Sequence, residues 1–221
     1  MTEVESGMAD PSSDAADAEA HLRGGDESAV APLFERYRDR LKKMVRLRLD
    51  RRLQGRLDAS DVLQEAFLDA RTKAGDFAAK GMPAYLWLRL VVTERLLILH
   101  RHHLGAKMRD AAQEVSLYRG GPPAASTHSL ANLLLGRLTS PSSAAARAER
   151  QLRLQEALDG MDPLDREVLA LRHFEELSNG ETAAVLGLTK TAASNRYVRA
   201  LKRLKEILSA LPGGDPPVSA G

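Results

Sequence analysis

The chain has 221 residues, with 32 Lys and Arg against 30 Asp and Glu, and it contains no cysteine. This length allows one or two small domains, and the lack of cysteine excludes disulfides and thiolate metal sites. No apolar run approaches the roughly 18 residues of a membrane span, and the acidic N-terminus does not resemble a signal peptide. We therefore expect a cytoplasmic protein without a membrane segment.

The charges are unevenly distributed along the chain. Residues 1–20 hold six acidic side chains and no Lys or Arg, and the rest of the chain holds 32 basic and 24 acidic side chains. A cationic body suits a polyanionic partner such as nucleic acid. Residues 1–20 and 212–221 are polar and non-periodic, and they are rich in Pro, Gly, Ser and Asp. Both segments are therefore predicted to be disordered tails.

The first amphipathic helix is predicted over residues 58–74, DASDVLQEAFLDARTKA. Its predicted buried stripe consists of Ala59, Leu63, Ala66, Phe67 and Ala70. The opposite side carries Asp61, Gln64, Glu65 and Leu68. An exposed leucine within an acidic, amide-bearing patch is typical of a docking surface for a basic partner helix. A single exposed leucine is also common on ordinary protein surfaces, so this alternative stays open.

The next helical segment combines aromatic and basic side chains. Tyr85 and Trp87 lie near its start, and its predicted contacts with nucleic acid continue through Thr93, Glu94, Arg95, Arg101, His103 and Lys107. Exposed aromatics stack on unpaired bases while basic residues follow the phosphates. The alternative is that both aromatic side chains fill the core of a small bundle.

The histidines of this segment raise the question of a metal site. His100 and His103 are three residues apart on a helix, but no carboxylate or cysteine at ligand spacing completes a set. The sequence also lacks a phosphate-binding glycine loop and a nucleophile elbow. We therefore expect no metal, no cofactor and no catalytic residue.

Residues 111–143 have the composition of a linker, with Gly and Pro followed by Ser and Thr. An apolar patch, Leu133–Leu135, interrupts it. Such a patch is either a half-helix that docks on a neighbouring domain or a short turn that folds back.

The C-terminal block begins with strong helix signals. Asp162 followed by Pro163 is typical of a helix start, and Ser178 with Glu181 forms a capping box. Helices are predicted over 163–174, 179–186 and 190–208, and a three-residue turn, Gly187–Thr189, separates the last two. Helix, short turn and helix form the helix-turn-helix motif. No β-alternation of useful length occurs, so the predicted fold is all-α: two small helical domains, 21–110 and 144–211, joined by a flexible linker.

The last helix has two distinct faces. Its predicted core stripe is Ala193, Tyr197, Ala200, Leu201, Leu204 and Leu208. The predicted DNA contacts are Lys190, Thr191, Ala192, Ser194, Asn195, Arg196, Arg199, Lys202 and Arg203. Asn can bond adenine edges, and Arg can bond guanine or phosphate. The alternative is a solvated basic helix in an ordinary bundle.

These segments resemble a known family. DVLQEAFLDA resembles the region 2.2 helix of bacterial sigma factors, and AYLWLRLVVTERLLILHRHH is similar to regions 2.3 and 2.4. The stretch from LQEALDGMDPLDREVL to YVRALKRLKEIL is similar to region 4. Regions 2 and 4 in this order across a short linker, over about residues 20–210, resemble the extracytoplasmic-function (ECF) group, in a variant common in planctomycetes.

The resemblance implies a promoter-specificity subunit of RNA polymerase, not an enzyme. Asp61, Gln64 and Glu65 would grip the β′ clamp helices, and the rest of region 4 would contact the β-flap. The segment from Tyr85 to His103 would open and read the −10 element of promoter DNA, and the loop Asp76–Pro83 would hold a flipped −10 base. Residues Lys190–Arg199 would read the −35 element. The linker would thread toward the RNA exit channel.

Two departures from the family pattern fall at base-reading positions. Thr93 stands where many members have Asn, and Thr189–Ala193 replaces the commoner Pro-x-Gly-Thr-Val. An anti-sigma factor is usual in this group, and regulation by the acidic N-terminal tail, by the Pro-rich C-terminal tail or by phosphorylation stays open as an alternative. The resemblance also implies association with the nucleoid in the holoenzyme. The competing hypotheses are a stand-alone helix-turn-helix regulator and a metal-dependent nuclease built on the histidine cluster.

Overall fold

A computed structural model describes residues 11–53, 55–104, 124–136 and 144–210. Within these ranges the regular secondary structure is helical and includes no strand, which confirms the all-α prediction. The helices are α1 (Pro11–Arg23), α2 (Val30–Arg48), α3 (Ala59–Thr72), α4 (Phe77–Lys80), α5 (Ala84–Leu104), α6 (Thr127–Leu135), α7 (Ala144–Asp159), α8 (Pro163–Leu169), α9 (Asn179–Leu186) and α10 (Lys190–Ser209). A π-helical turn, Ala170–Phe174, continues α8.

Local capping signals set the helix starts. The Asp58 carboxylate accepts from the N–H groups of Ser60 and Asp61, and the Asp61 carboxylate accepts from the Asp58 N–H at 2.8 Å. Ser178 and Glu181 cap α9 in the same reciprocal way. These two boxes satisfy backbone donors that a helix start leaves unpaired, so both helices begin where the sequence predicts.

The predicted turn between the last two helices also forms. Gly187 ends α9 with a left-handed φ of 63°, a conformation that favours glycine, and the Thr189 hydroxyl caps α10 by accepting from the Ala192 N–H at 3.1 Å. Helices α9 and α10 therefore form the helix-turn-helix.

The N-terminal block, residues 11–104, is a bundle of α1, α2, α3 and α5. Its fully buried large side chains include Leu22, Leu33, Leu41, Met44, Phe77, Trp87, Leu88 and Leu96. The prediction of disorder through residue 20 is wrong for residues 11–20, because α1 begins at Pro11. Ala18 and Leu22 pack against the core of the bundle, which gives this short helix a buried face.

The C-terminal block, residues 144–210, has its own core. This core includes Leu154, Leu158, Leu169, Phe174, Ala200, Leu204 and Ile207. The predicted stripe on α10 is partly wrong: Ile207 is buried, whereas Leu201 is 36% exposed. Helix α10 packs mainly against α8 and also against α7, and the position of these neighbours decides which apolar side chains at the edge of the stripe are covered.

Part of the predicted linker is a helix. In α6 the side chains of Leu130, Ala131 and Leu134 are buried, and the helix contacts both α2 and α7. The docked half-helix is therefore the correct alternative for the Leu133–Leu135 patch. The adjoining segments 105–123 and 137–143 lie outside the described residues, as does Lys107.

The two blocks share buried surface. Val168, Leu171, Leu177 and Leu186 of the C-terminal block join the core of the N-terminal block, and Leu47 of α2 joins the second core. No helix in the described parts of the chain is long and apolar enough to cross a membrane.

Candidate nucleic-acid interface

The outward face of α10 presents polar and basic side chains to solvent. Its exposed members are Lys190, Thr191, Ser194, Asn195, Arg199, Lys202 and Arg203, whereas Ala192 and Arg196 are half-buried. This face starts at the Thr189 cap, where the helix N-terminus offers N–H groups and a positive dipole end to an anion. The geometry suits a helix that enters the major groove of DNA.

Two of these arginines are paired with carboxylates at the start of α8. The Arg196 guanidinium donates to Asp165 at 2.6 Å and to Asp162 at 3.3 Å, and that of Arg199 donates to Asp165 at 3.3 Å. Arg199 has a side chain that is 61% exposed, so its pairing is weak and easily exchanged for phosphate.

The N-terminal cap of α8 stays negatively charged. Burial alone would raise the pKa of Asp162, but the N–H groups of Asp165 and Leu164 and the charge of Arg196 outweigh it and lower the pKa. The Asp162 carboxylate therefore holds Arg196 near the helix-turn-helix throughout the neutral pH range.

The aromatic candidates on α5 are buried. Trp87 is 1% exposed and its ring packs on that of Phe77 at 5.3 Å, and Tyr85 is 2% exposed beneath the guanidinium of Arg40. Burial, with the nearby Glu175 charge, raises the pKa of Tyr85 to about 12. The expected exposed aromatic edge is wrong for this conformation, because α5 turns these side chains toward α2 and α4.

The other candidates on α5 differ in exposure. The hydroxyl of Thr93 is buried, and the carboxylate of Glu94 pairs with Lys73 at 2.6 Å. Arg95 is half-buried and is held by Asp69. At the end of the helix the exposed side chains are Arg101, His102 and His103, whereas His100 is buried.

The segment Asp76–Pro83, expected to be a loop, contains the short helix α4. Phe77 anchors it in the core, and Gly81 ends it with a left-handed φ of 59°. Arg23 of α1 donates to the Met82 carbonyl at 3.1 Å, and its guanidinium covers the Phe77 ring at 4.8 Å. Helix α1, which the sequence prediction missed, therefore positions this segment.

The predicted docking patch on α3 faces solvent. Asp61 and Gln64 are exposed, Leu68 is 60% exposed, and Glu65 is half-buried with an ion pair to Arg95 at 3.3 Å. Beside the patch lies a groove of about 470 Å³ between α2 and α3. It is lined by Ala31, Phe34, Glu35, Arg38, Ser60, Leu63, Gln64 and Phe67. Sequence periodicity predicted the α3 side of this surface and missed the α2 side.

A buried group of charges joins the two blocks. Arg48 of α2 and Arg89 of α5 meet Glu167 of α8 and Glu175, which follows the π turn; we call these four residues the Arg–Glu cluster. Local sequence patterns do not reveal the cluster, because Arg48 and Glu175 are 127 residues apart. The sequence contains one weak indication of a buried charge, because Arg89 interrupts the apolar run between Tyr85 and Val92.

Comparisons with known proteins agree with this geometry. Residues 151–204 match the protein-family model "Sigma-70, region 4". The ECF RNA polymerase sigma factor SigD of Mycobacterium tuberculosis is 30% identical over 191 residues, which cover 86% of this chain and 82% of SigD. The chain belongs to the ECF RNA polymerase sigma factors. As a sigma factor it functions in transcription initiation and is not an enzyme.

Two further similarities concern one part of the chain and its fold. The sigma factor is 43% identical to the RNA polymerase sigma-E factor of Streptomyces coelicolor over 63 residues, 28% of this chain and 35% of that protein. The structure of CnrH in complex with the cytosolic domain of CnrY matches with a TM-score of 0.51 at 22% identity, and covers 89% of this chain and 98% of CnrH. The second similarity shows a shared fold.

Proposed function

We propose that this sigma factor binds core RNA polymerase through the outward face of α3 and recognises promoters with α10 at −35 and the α5 region at −10. The observation that carries the proposal is the exposed face of α10, which starts at a capped helix N-terminus and combines small, amide and basic side chains. Bound to polymerase, the factor would be located at the nucleoid.

The −35 element would be read in the major groove. Asn195 and Arg199 lie one helical turn apart on the exposed face, at a spacing that reaches adjacent base edges. Lys202 and Arg203, further along, would contact phosphates and orient the helix. Arg196 would act as a tethered positive charge at the edge of the contact, because Asp162 and Asp165 hold it.

Core polymerase would dock on α3. Leu68 would enter an apolar site on the β′ clamp helices, and Gln64 would hydrogen-bond beside it. Asp61 also stabilises the start of α3 through its bond to the Asp58 N–H, so its removal changes folding as well as docking. The C-terminal block would contact the β-flap.

The −10 element would meet the exposed end of α5 and the segment Asp76–Pro83. Arg101 and His103 are free to approach the phosphates, and the exposed side chains of α4 lie around the expected site of a flipped base. Tyr85, Trp87 and Thr93 can reach bases only after a rearrangement that uncovers them.

A reconstituted transcription assay tests the proposal. Gln64→Ala with Leu68→Ala is expected to weaken capture of core polymerase about tenfold, because both side chains are exposed on the proposed docking face. Arg199→Ala should leave capture unchanged and lower −35-dependent initiation. The proposal is wrong if the purified factor ignores core polymerase and occupies its sites unaided, as a dimeric stand-alone regulator on palindromic DNA would.

An anti-sigma factor is the expected regulator. The solved CnrH structure holds the cytosolic domain of CnrY, and we propose that a comparable partner of this chain would cover the α3 patch. Competition between such a partner and core polymerase, with Leu68→Ala weakening both, is the corresponding test.

A further inference from the structure

Arg23, in the last turn of α1, contacts the short segment that precedes α5. Its guanidinium donates to the carbonyl of Met82, 59 positions later in the chain, at 3.1 Å, and lies over the Phe77 ring at 4.8 Å. The same terminal nitrogen donates to Glu19, four residues earlier on α1, at 2.7 Å. A hydrogen bond, a ring contact and an ion pair together fix the place and the orientation of the guanidinium.

The end of α1 that carries Arg23 is itself held in place. Leu22, the residue before it, is fully buried in the core of the N-terminal block. Just beyond the helix, Gly25 takes a left-handed φ of 87°, and the Asp26 N–H donates back to the His21 carbonyl at 3.1 Å. Arg23 therefore extends from an anchored helix end, so its contacts restrain the segment that they reach.

The Met82 carbonyl lies in the turn between α4 and α5. Gly81 ends α4 with a left-handed φ of 59°, and the Pro83 carbonyl accepts from the Trp87 N–H at 3.1 Å where α5 begins. The Met82 carbonyl precedes that first helical bond, and Arg23 supplies its donor from another part of the chain. Because glycine is compatible with many backbone conformations, the turn depends on such outside contacts to keep one of them.

The outer surface of the segment Asp76–Pro83 has room for a nucleotide base. Phe77 is fully buried and Met82 is half-buried. The exposed side chains of the segment are Asp76, Ala78, Ala79, Lys80 and Pro83. The small side chains of the two alanines let a planar base approach the backbone closely, and the Lys80 ammonium can pair with a phosphate. Recognition of one base at such a surface requires a backbone held to within about 0.5 Å.

The contacts of Arg23 affect local geometry more than the stability of the bundle. The Arg23 side chain is 42% exposed, and its ion pair with Glu19 is an i,i+4 pair on the surface of one helix. Exposed pairs of this kind contribute little to the free energy of unfolding. The main consequence of these contacts is therefore the conformation of the turn at Met82.

We propose that Arg23 is a positioning residue for −10 recognition and that it determines how strictly one unpaired base is selected. It holds the Met82 carbonyl and the Phe77 ring, and it thereby keeps the segment Asp76–Pro83 in the conformation that receives the base. A site formed in advance loses less conformational entropy when the base binds, and it discriminates better against bases of the wrong shape. The inference rests on the proposed recognition of the −10 element by this segment.

The first experiment measures the segment in the free full-length chain, without DNA or polymerase. Arg23→Gln should speed amide hydrogen exchange at residues 77–82 about fivefold, as expected for the loss of one partly exposed hydrogen bond from a charged donor. The exchange of α10 should not change. The matched control is Arg153→Gln on α7, because Arg153 pairs with Glu149 at the same i,i+4 spacing and is likewise exposed.

Equal exchange of the segment in Arg23→Gln and Arg153→Gln would overturn the positioning role. Circular dichroism verifies that the helices persist in both variants. If Arg23→Gln lowered the helix content, Arg23→Lys would take its place in the same comparison, with the same outcome counting against the proposal.

The second experiment measures base selection by the holoenzyme. Core polymerase with each variant selects from forked DNA that is randomised in the −35 duplex and in the unpaired −10 strand, and sequencing gives the preference at every position. Arg23→Gln should lower the preference at one unpaired position about fivefold and leave the −35 preference and core capture unchanged. Arg23→Lys should recover part of this preference, because an ammonium can donate to the Met82 carbonyl but has no planar face for the Phe77 ring. Arg153→Gln should match the wild type.

Glu19→Gln separates positioning from a direct contact between Arg23 and DNA. If Arg23 paired with a phosphate, its release from Glu19 would raise the affinity for every sequence. Arg23→Gln would then lower all affinities equally and reduce their salt dependence, and this pattern would overturn the proposal. For a positioning residue, Glu19→Gln instead relaxes selection at the same position as Arg23→Gln, because the guanidinium loses the partner that orients it.

The proposed function and the role of Arg23 fail on different results. A wild-type holoenzyme that selects no base at −10 contradicts the proposed function, whereas faster exchange in free Arg23→Gln would still show that Arg23 holds the segment. A clear wild-type preference that Arg23→Gln leaves intact overturns the role of Arg23 and leaves the proposed function standing.

Discussion

The two candidate DNA-reading surfaces of this sigma factor differ in their exposure to solvent. On α10 the polar side chains predicted to contact bases are exposed, and Arg199 is held by one exchangeable ion pair. On α5 the predicted base contacts Tyr85, Trp87 and Thr93 are buried. The candidate surface on α10 is exposed as it stands, whereas the predicted base contacts on α5 would need a change of conformation to reach DNA.

This difference has a functional consequence. If the proposed function holds, the exposed surface of α10 would supply the initial affinity for DNA, and the covered surface of α5 would contribute only after polymerase has bound. Such an order would favour promoters over isolated −10-like sequences, because the second contact would become available only inside the holoenzyme.

Trp87→Ala tests whether the α5 aromatic belongs to the core. We expect a loss of about 3–5 kcal/mol in the free energy of unfolding, because the indole is fully buried against Phe77. Urea denaturation, monitored by circular dichroism, measures this free energy. Trp87→Phe should lower the free energy of unfolding much less. Arg101→Ala, at the exposed end of the same helix, is the matched control and should leave stability unchanged. A stable Trp87→Ala protein with a selective defect in strand opening would instead support an exposed stacking role.

Arg199→Ala tests the exposed reader. We expect a roughly tenfold loss of −35-dependent initiation without loss of stability, as one good base contact is worth about 1–3 kcal/mol. Transcription from promoters with every base substituted in turn at −35 measures the effect. A base contact relaxes preference at one position, while a phosphate contact weakens all promoters equally and reduces the salt dependence by about one ion. Arg153→Ala, on the exposed surface of α7, should change neither.

Local signals in the sequence predicted much of this structure. The boxes at Asp58 and Ser178 and the left-handed Gly187 depend on residues within four positions of one another, so the starts of α3 and α9 and the final turn could be predicted. The polar face of α10 and the exposed Leu68 followed from helical periodicity.

The rest depends on contacts between distant residues. Periodicity identifies an apolar face, but it does not tell which aromatic side chains a neighbouring helix covers, so the exposed and the buried alternatives for Trp87 both stayed open. The Arg–Glu cluster joins residues more than 80 positions apart, and no local pattern encodes it. Helix α1 was missed because its own sequence is polar and acidic, and Leu22 becomes an anchor only when the rest of the bundle is present.

Asp165→Asn releases the two arginines that this carboxylate holds at the edge of α10. The Asp165 carboxylate pairs with Arg196 and Arg199. Its neutralisation should raise the affinity for non-specific DNA by about 1.5- to 5-fold, because partly exposed ion pairs contribute about 0.2–1 kcal/mol. Fluorescence anisotropy on a random duplex measures it, with Asp159→Asn as control on an exposed carboxylate at the end of α7. Weaker or unchanged binding would mean that Asp165 mainly orients Arg196 for DNA, and that this ion pair assists DNA binding by α10.

His100→Gln is expected to change stability least, and it tests the burial of α5 in the N-terminal block. His100 lies in the N-terminal core, where burial, with Arg52 adding to it and Asp50 opposing it, lowers its pKa below 6.5. The unfolded chain therefore binds a proton at this imidazole more readily than the folded chain does. As a result, His100 lowers the free energy of unfolding as the pH falls below about 6.5 and has no such effect at higher pH. Melting temperatures at pH 7.5 and 5.5 should differ less in His100→Gln than in the wild type, whereas His103→Gln, at the exposed end of α5, should keep the wild-type difference. Equal differences in all three proteins would mean that water reaches His100, and that the core of the N-terminal block is more open than the buried aromatic side chains imply.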